Sequence, residues 1–143
     1  MYIKQSELLL GTSMDFVKKY MDNSQMVSHD KGDVLFREND PAQFFYTLIN
    51  GRVKLSICEG GHLVHDIRQS GEAFGWSSLI DRDVYSASAE CIEPTELLRT
   101  NSKKLTKVIE EDPANGIILF KHLAALLGNR LLESYQTILQ KPE

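Results

Sequence analysis

The stretch KGDVLFRENDPAQFFYTLINGRVKLSI, residues 31–57, decides the fold. Three turn signals divide it: Lys31-Gly32-Asp33, Glu38-Asn39-Asp40-Pro41 and Asn50-Gly51-Arg52. The runs between them are short and rich in β-branched and aromatic side chains, so they read as strands. Asn50-Gly51, set between FFYTLI and VKLSIC, is a strong hairpin signal. A tight primed turn needs positive φ, which Gly and Asn adopt at the least steric cost. Gly32 and Gly71 are expected at turns of the same backbone kind.

The same alternation extends on both sides, from Val27 to Arg99. EGGH, residues 59–62, marks a second hairpin at Gly60-Gly61 that returns through HLVHDIRQ, residues 62–69. QSGE at 69–72 and DRD at 81–83 add further turns. Turns spaced by about 8–12 residues predict a sandwich or barrel of short strands. They place the β-structure over about residues 25–100. Before it, SELLLGTSMDFVKKYM (6–21) predicts one or two short helices with Leu8, Leu9, Phe16, Val17 and Tyr20 on one face.

After Arg99 the apolar period lengthens. NSKKLTKVIEED, residues 101–112, predicts a short helix capped by Asn101 or Thr100, with Leu105, Val108 and Ile109 facing inward. Asp112-Pro113 then opens a long helix that runs to about Gln140. Along it Ile117, Phe120, Ala124, Leu127, Leu131, Tyr135 and Ile138 recur at steps of three or four. That spacing makes a seam for a second helix, and so predicts a homodimer. Leu119, Leu123 and Leu126 make a neighbouring face able to cover the β-structure. The alternative is one wide stripe packed inside a monomer. Residues 1–143 are expected to form one domain, with the C-terminal helices over about 101–140.

Composition narrows the function. Apolar residues make up 42% of the 143 and charged residues 25%, ordinary values for a globular chain. A net charge of −4 argues against a nucleic-acid groove. No apolar run approaches the ~20 residues of a membrane span, and the Gly-Thr-Ser break after Leu8–Leu10 argues against a secretory leader. A cytoplasmic location follows as the expectation. Cys58 and Cys91 lack metal-ligand spacing and read as buried, inert thiols. His62 and His65 would point to opposite faces of a strand, while His29 and His122 stand apart. No metal site, no catalytic constellation and no cofactor are expected, and an enzyme is the least favoured class.

The 31–57 stretch followed by GEAFGWSSLI, residues 71–80, resembles the cyclic nucleotide-binding domain family. The family includes the sensor half of catabolite activator protein and the regulatory subunits of protein kinase A. Lys31-Gly32-Asp33, Phe36, Asp40, Tyr46, Gly51, Val53, Gly71-Glu72, Phe74-Gly75 and Leu79 carry the likeness, which spans roughly Val27 to Leu132. It implies a mainly β fold: a double-stranded β-helix or jelly roll (the β-roll) with N-terminal helices, a short helix and a long C-terminal helix. It also implies a cyclic phosphate held by the loop after Phe74-Gly75, where helix-start amides favour an anion. Phe74, Gly75, Trp76, Ser77, Ser78, Tyr85, Ser86 and Ala87 are thereby the candidate ligand residues.

Two positions depart from the family pattern. The family's ribose-binding glutamate, directly after Phe-Gly, is Trp76, and its phosphate-binding arginine, before a Ser/Thr-Ala pair, is Tyr85. A charge-assisted bond contributes ~1.5–3 kcal/mol, so loss of the arginine alone should weaken cyclic nucleotide binding about 10- to 150-fold. Trp76 either fills the ribose space and packs in the core or stacks on a flat ligand. Tyr85 either offers its hydroxyl to an anion or lies on the surface. Arg82, flanked by Asp81 and Asp83, is either a solvated charge or a substitute guanidinium that folds inward. The expectation is a regulatory, signal-transducing sensor of cyclic nucleotide or another small anionic ligand, with weakened or altered specificity. The alternative is a ligand-free dimerisation or protein-interaction module. Relatives that bind DNA append a helix-turn-helix, for which QTILQKPE, residues 136–143, leaves no room, so the chain is expected to be either a stand-alone sensor or a part of something longer. Direct nucleic-acid binding is therefore not expected.

Overall fold

The computed structural model describes residues 7–58 and 61–140. Among these residues the strands are β1 (Ser24–His29), β2 (Val34–Phe36), β3 (Phe44–Asn50), β4 (Val53–Ile57), β5 (His62–Ile67), β6 (Ala73–Phe74), β7 (Ser88–Cys91) and β8 (Thr95–Asn101). They form two antiparallel sheets of four strands, ordered β1-β8-β3-β6 and β2-β7-β4-β5. Helix α1 (Met14–Asp22) precedes the strands, and α2 (Ser102–Glu111) and α3 (Pro113–Gln140) follow them. The jelly-roll class expected from the sequence is the fold observed.

Strand β3 is central to the packing. Tyr46 and Leu48 face the inside of the roll with Phe36, Val53, Phe74 and Leu97. Phe45 faces the other way, into the cluster formed by the helices with Leu8, Phe16, Tyr20, Leu105 and Leu119. Covering on both faces explains why FFYTLI is a continuous apolar run rather than an alternating one.

The Asn50-Gly51 turn is not a hairpin, contrary to its sequence signal. β3 pairs with β6 and β8, whereas β4 pairs with β5 and β7, so this turn carries the chain from one sheet to the other. Only Gly51 has positive φ, at 108°, while Asn50 is still in the strand. A primed hairpin turn of the Asn-Gly kind would need positive φ at both. Glycine is needed here for space as well, because a Cβ would lie 2.5 Å from Thr95 Oγ1 and 2.7 Å from the Pro94 carbonyl oxygen. The β4–β5 hairpin is present, with Val53 opposite Ile67 and Ile57 opposite His62. Its Gly60 lies outside the described residues.

The helix starts follow their side chains. Ser13 Oγ accepts the Phe16 amide at 3.1 Å, and Asn101 Oδ1 accepts the Lys104 amide at 3.0 Å. Asp112 Oδ1 accepts the Asn115 amide at 3.3 Å, with Pro113 at the first position of α3. These are the bonds that capping supplies to otherwise unpaired helix amides.

Two expectations need correction. Cys58 is exposed rather than buried, because the chain leaves β4 at Ile57 and Cys58 enters the turn with φ 58°. Cys91 is buried, and burial pushes its thiol pKa up. The α3 seam also divides. Phe120 and Leu127 are half-buried against the helix-side core, together with Leu126. Ile117, Ala124, Leu131, Tyr135 and Ile138 are exposed. A stripe wholly inside the monomer is therefore excluded.

Candidate ligand site

The loop after β6 is built on backbone conformations that few residues adopt easily. Gly75 has φ 77°, and a Cβ there would approach the Phe44 carbonyl oxygen to 3.1 Å and the Tyr46 ring to 3.3 Å. A short 3-10 helix, Trp76–Ile80, follows, and Asp81 closes it in the left-handed region at φ 62°. The loop is then laced to the β2–β3 connection. Asn39 donates to Tyr85 O at 2.9 Å, Tyr85 to Asp40 O at 2.9 Å, and Ala42 to Asp83 O at 2.9 Å.

Tyr85 lies at the centre of this lacing, 3% exposed. Its hydroxyl donates to Phe44 O at 2.7 Å and accepts from Phe44 N at 2.9 Å. Its ring stacks on Phe36, with centroids 3.7 Å apart and planes 14° from parallel. The surface reading of Tyr85 is thus excluded, and its hydroxyl serves the β3 backbone. Burial raises the pKa of Tyr85 and pushes Tyr46 up to about 12, so both phenols stay neutral.

Six of the eight candidate residues meet around one small cavity: Gly75, Trp76, Ser77, Tyr85, Ser86 and Ala87. Leu55 and Phe36, the latter assigned by sequence reading only to the fold, complete its lining. The other two candidates lie elsewhere. Phe74 is in the roll core, its ring stacked on Tyr46 at 5.2 Å. Ser78 turns to α2, where its hydroxyl bonds to that of Ser102. Ser77 is buried with its Oγ 3.5 Å from Ser86 Oγ. Trp76 is half-buried and packs against the helix-side core, as the core reading of this residue required. Arg82 is exposed.

The cavity measures only about 30 Å³. Small-molecule sites usually enclose ~300–1,000 Å³, whereas a single water occupies ~30 Å³ of liquid. The loop cavity is thus smaller than the usual small-molecule site.

A second, larger space lies between α3 and the β5–β6 region. This cleft of about 530 Å³ is lined from β5 and the β5–β6 turn by His65, Arg68, Gln69 and Glu72 and from α3 by Leu126, Asn129, Arg130 and Glu133. None of these was a sequence candidate. One signal was present: Arg130 and Glu133 continue the stripe Leu119, Leu123, Leu126 at steps of four and three. A charge on the roll-facing stripe of a helix points to a polar partner beneath it.

The described residues thus form a β-roll of two four-stranded sheets, with a short helix in the loop after β6 and a long helix after the roll. Family comparison matches residues 26–112, more than half of the chain, to the cyclic nucleotide-binding domain. The chain belongs to that family. It is 31% identical over 134 residues to the cyclic AMP receptor protein of Thermus thermophilus, covering 92% of this chain and 60% of the relative. It is 33% identical over 91 residues to human cGMP-dependent protein kinase 2, covering 61% of this chain and 12% of the kinase. A solved cyclic nucleotide-binding domain from Methylobacillus flagellatus superposes with a TM-score of 0.80 over 99% of this chain and 79% of that one. At 24% identity that likeness concerns the fold. The chain thus spans less than two thirds of the length of these two sequence relatives. Among the described residues no helix is long and apolar enough to cross a membrane.

Proposed function

We propose that the domain is a non-enzymatic regulatory module that senses a small molecule through the roll and α3, with specificity moved away from cyclic AMP and cyclic GMP. The observation that carries this is the small loop cavity of about 30 Å³. The resemblance puts Tyr85 in the place of the phosphate-binding arginine, and its hydroxyl is bonded to Phe44; it puts Trp76 in the place of the ribose-binding glutamate, half-buried against the helix-side core. Cyclic nucleotide would have to displace both and would still meet no guanidinium. Isothermal titration with cyclic AMP and cyclic GMP tests this. The expected dissociation constants are weaker than ~100 μM, given the ~10- to 150-fold loss for one charge-assisted bond. Low-micromolar binding of either nucleotide would overturn the proposal.

Homodimerisation belongs to the same reading. Leu131, Leu132, Tyr135, Ile138 and Leu139 form an exposed apolar row on α3, with Ile138 at 69% exposure. A ligand that favours one position of α3 over another would change that surface, since occupancy shifts an equilibrium only through differential affinity. The small size of the cavity favours a second reading as well, a ligand-free dimerisation module. A thermal-shift screen separates the two, because a ligand that binds only the folded state raises apparent stability.

A further inference from the structure

The cleft between α3 and the β5–β6 region contains a guanidinium whose surroundings do not fully satisfy it. Arg130 projects from α3, its side chain 14% exposed. Nη2 donates to the Ala73 carbonyl, and Nη1 is shielded from solvent without a hydrogen-bond partner. Burial pulls its pKa down, and Glu72 and Glu133 only partly oppose that. A cation in this position is costly unless it is paired and hydrogen-bonded.

The carboxylates nearby are poor partners for it. Glu72 Oε1 accepts the amides of Arg68 at 3.1 Å and Gln69 at 2.9 Å, which holds the β5–β6 turn. Glu72 Oε2 lies 3.3 Å from His65 Nε2 and only 4.0 Å from Arg130. Asp66 is held by the Arg52 guanidinium, with Nη2 at 2.6 Å. Glu133 is 63% exposed and approaches His65 Nδ1 at 3.8 Å. It is the one acidic group here that can swing into water at little cost.

We infer that this cleft binds the oxyanion of a small molecule, a carboxylate or a phosphate group, with Arg130 as the principal binding residue and Glu133 as the side chain it displaces. The inference rests on the sensor reading above and names the ligand class for it. Arg130 lines the cleft, and its guanidinium would take an oxygen of such a group through a charge-assisted N–H bond once the side chains that shield Nη1 move aside. The cleft volume of about 530 Å³ accommodates the rest of a small metabolite. The amides of Gln69 and Asn129 and the Arg68 cation line the same space. Because Arg130 and Glu133 both belong to α3, binding there changes how α3 is tied to Glu72 and His65 of the roll. The inherited loop is not involved.

The test uses the full chain, titrated calorimetrically with inorganic phosphate and with succinate at constant ionic strength set by chloride. Binding of one or both is expected, and the two arms distinguish a phosphate from a carboxylate ligand. Arg130→Met keeps much of the apolar stem, and it removes a buried charge that is costly when not fully hydrogen-bonded. It should weaken binding by at least about tenfold, the lower end for a charge-assisted bond. Glu133→Gln removes an exposed competitor and should tighten binding about two- to fivefold. The inference is overturned by no binding of either anion at ~10 mM, where millimolar affinity would already saturate. It is equally overturned by affinity that Arg130→Met leaves unchanged. A neutral ligand that stabilises wild type and Arg130→Met alike would sink this inference and leave the sensor reading standing. Absence of any stabilising ligand in the screen would sink both.

Discussion

Tyr85→Phe separates a structural role for this residue from a ligand-binding one. The substitution keeps the ring that stacks on Phe36 at 3.7 Å and deletes only the hydroxyl. That hydroxyl donates to Phe44 O and accepts from Phe44 N, so two bonds to the β3 backbone are lost together. Each contributes ~1 kcal/mol net, and an N–H left shielded without an acceptor adds to the loss, so about 2 kcal/mol is expected. For a chain of this size that corresponds to a fall in Tm of roughly 4–8 °C. Urea denaturation followed by circular dichroism reads the change as a shifted midpoint with an unchanged slope, since the surface exposed on unfolding is the same. A loss below ~0.5 kcal/mol would mean the strap contributes less than one ordinary hydrogen bond. Tyr85 would then be free for a ligand, and the reasoning about the small loop cavity would fail.

Gly51→Ala should destabilise by about 3 kcal/mol, from the left-handed backbone together with overpacking. Its Cβ would lie 2.6 Å from Thr95 Cα at the crossing between sheets, and thermal melts showing less than a degree of change would refute that geometry. The Asp66 carboxyl is held below the usual carboxylate range, first by the hydrogen bonds from Arg52. A depressed native pKa gives stability that is present above the ordinary Asp value and lost as pH falls through the native one. Asp66→Asn should therefore lower the urea midpoint at pH 7 and flatten the decline below about pH 4; parallel acid limbs for the two proteins would contradict it. Sedimentation equilibrium at ~100 μM should show a dimer for wild type and a monomer for Ile138→Asp, because a charge at a seam position is desolvated on pairing. A monomeric wild type would remove the α3 interface.

Much of this protein could be read from its chain because the signals are local. Turn residues, strand runs, the caps at Asn101 and Asp112 and the buried stripe of α3 depend on neighbours a few positions away. A sandwich or barrel of short strands followed from them, and the family resemblance made it a β-roll. The destination of the Asn50-Gly51 turn did not, since which sheet β4 joins is settled by partners far along the chain, β7 and β5. Exposure of Cys58 likewise depended on where β4 stops against its bulged neighbour.

At the site the division is sharper. Sequence by itself set only the expectation, through the family resemblance, that Trp76 and Tyr85 stand where the family has a glutamate and an arginine. Only the tertiary structure decided what they do there: Tyr85 bonds to Phe44 across 41 residues, and the space beside it shrinks to about 30 Å³. Only the tertiary structure, too, brought Arg130 to Ala73 across 57 residues. The physical reason is common to both cases. A side chain's type is written in the chain, but burial, which turns a hydroxyl into a strap and an arginine into an underpaired cation, is set by whatever packs over it.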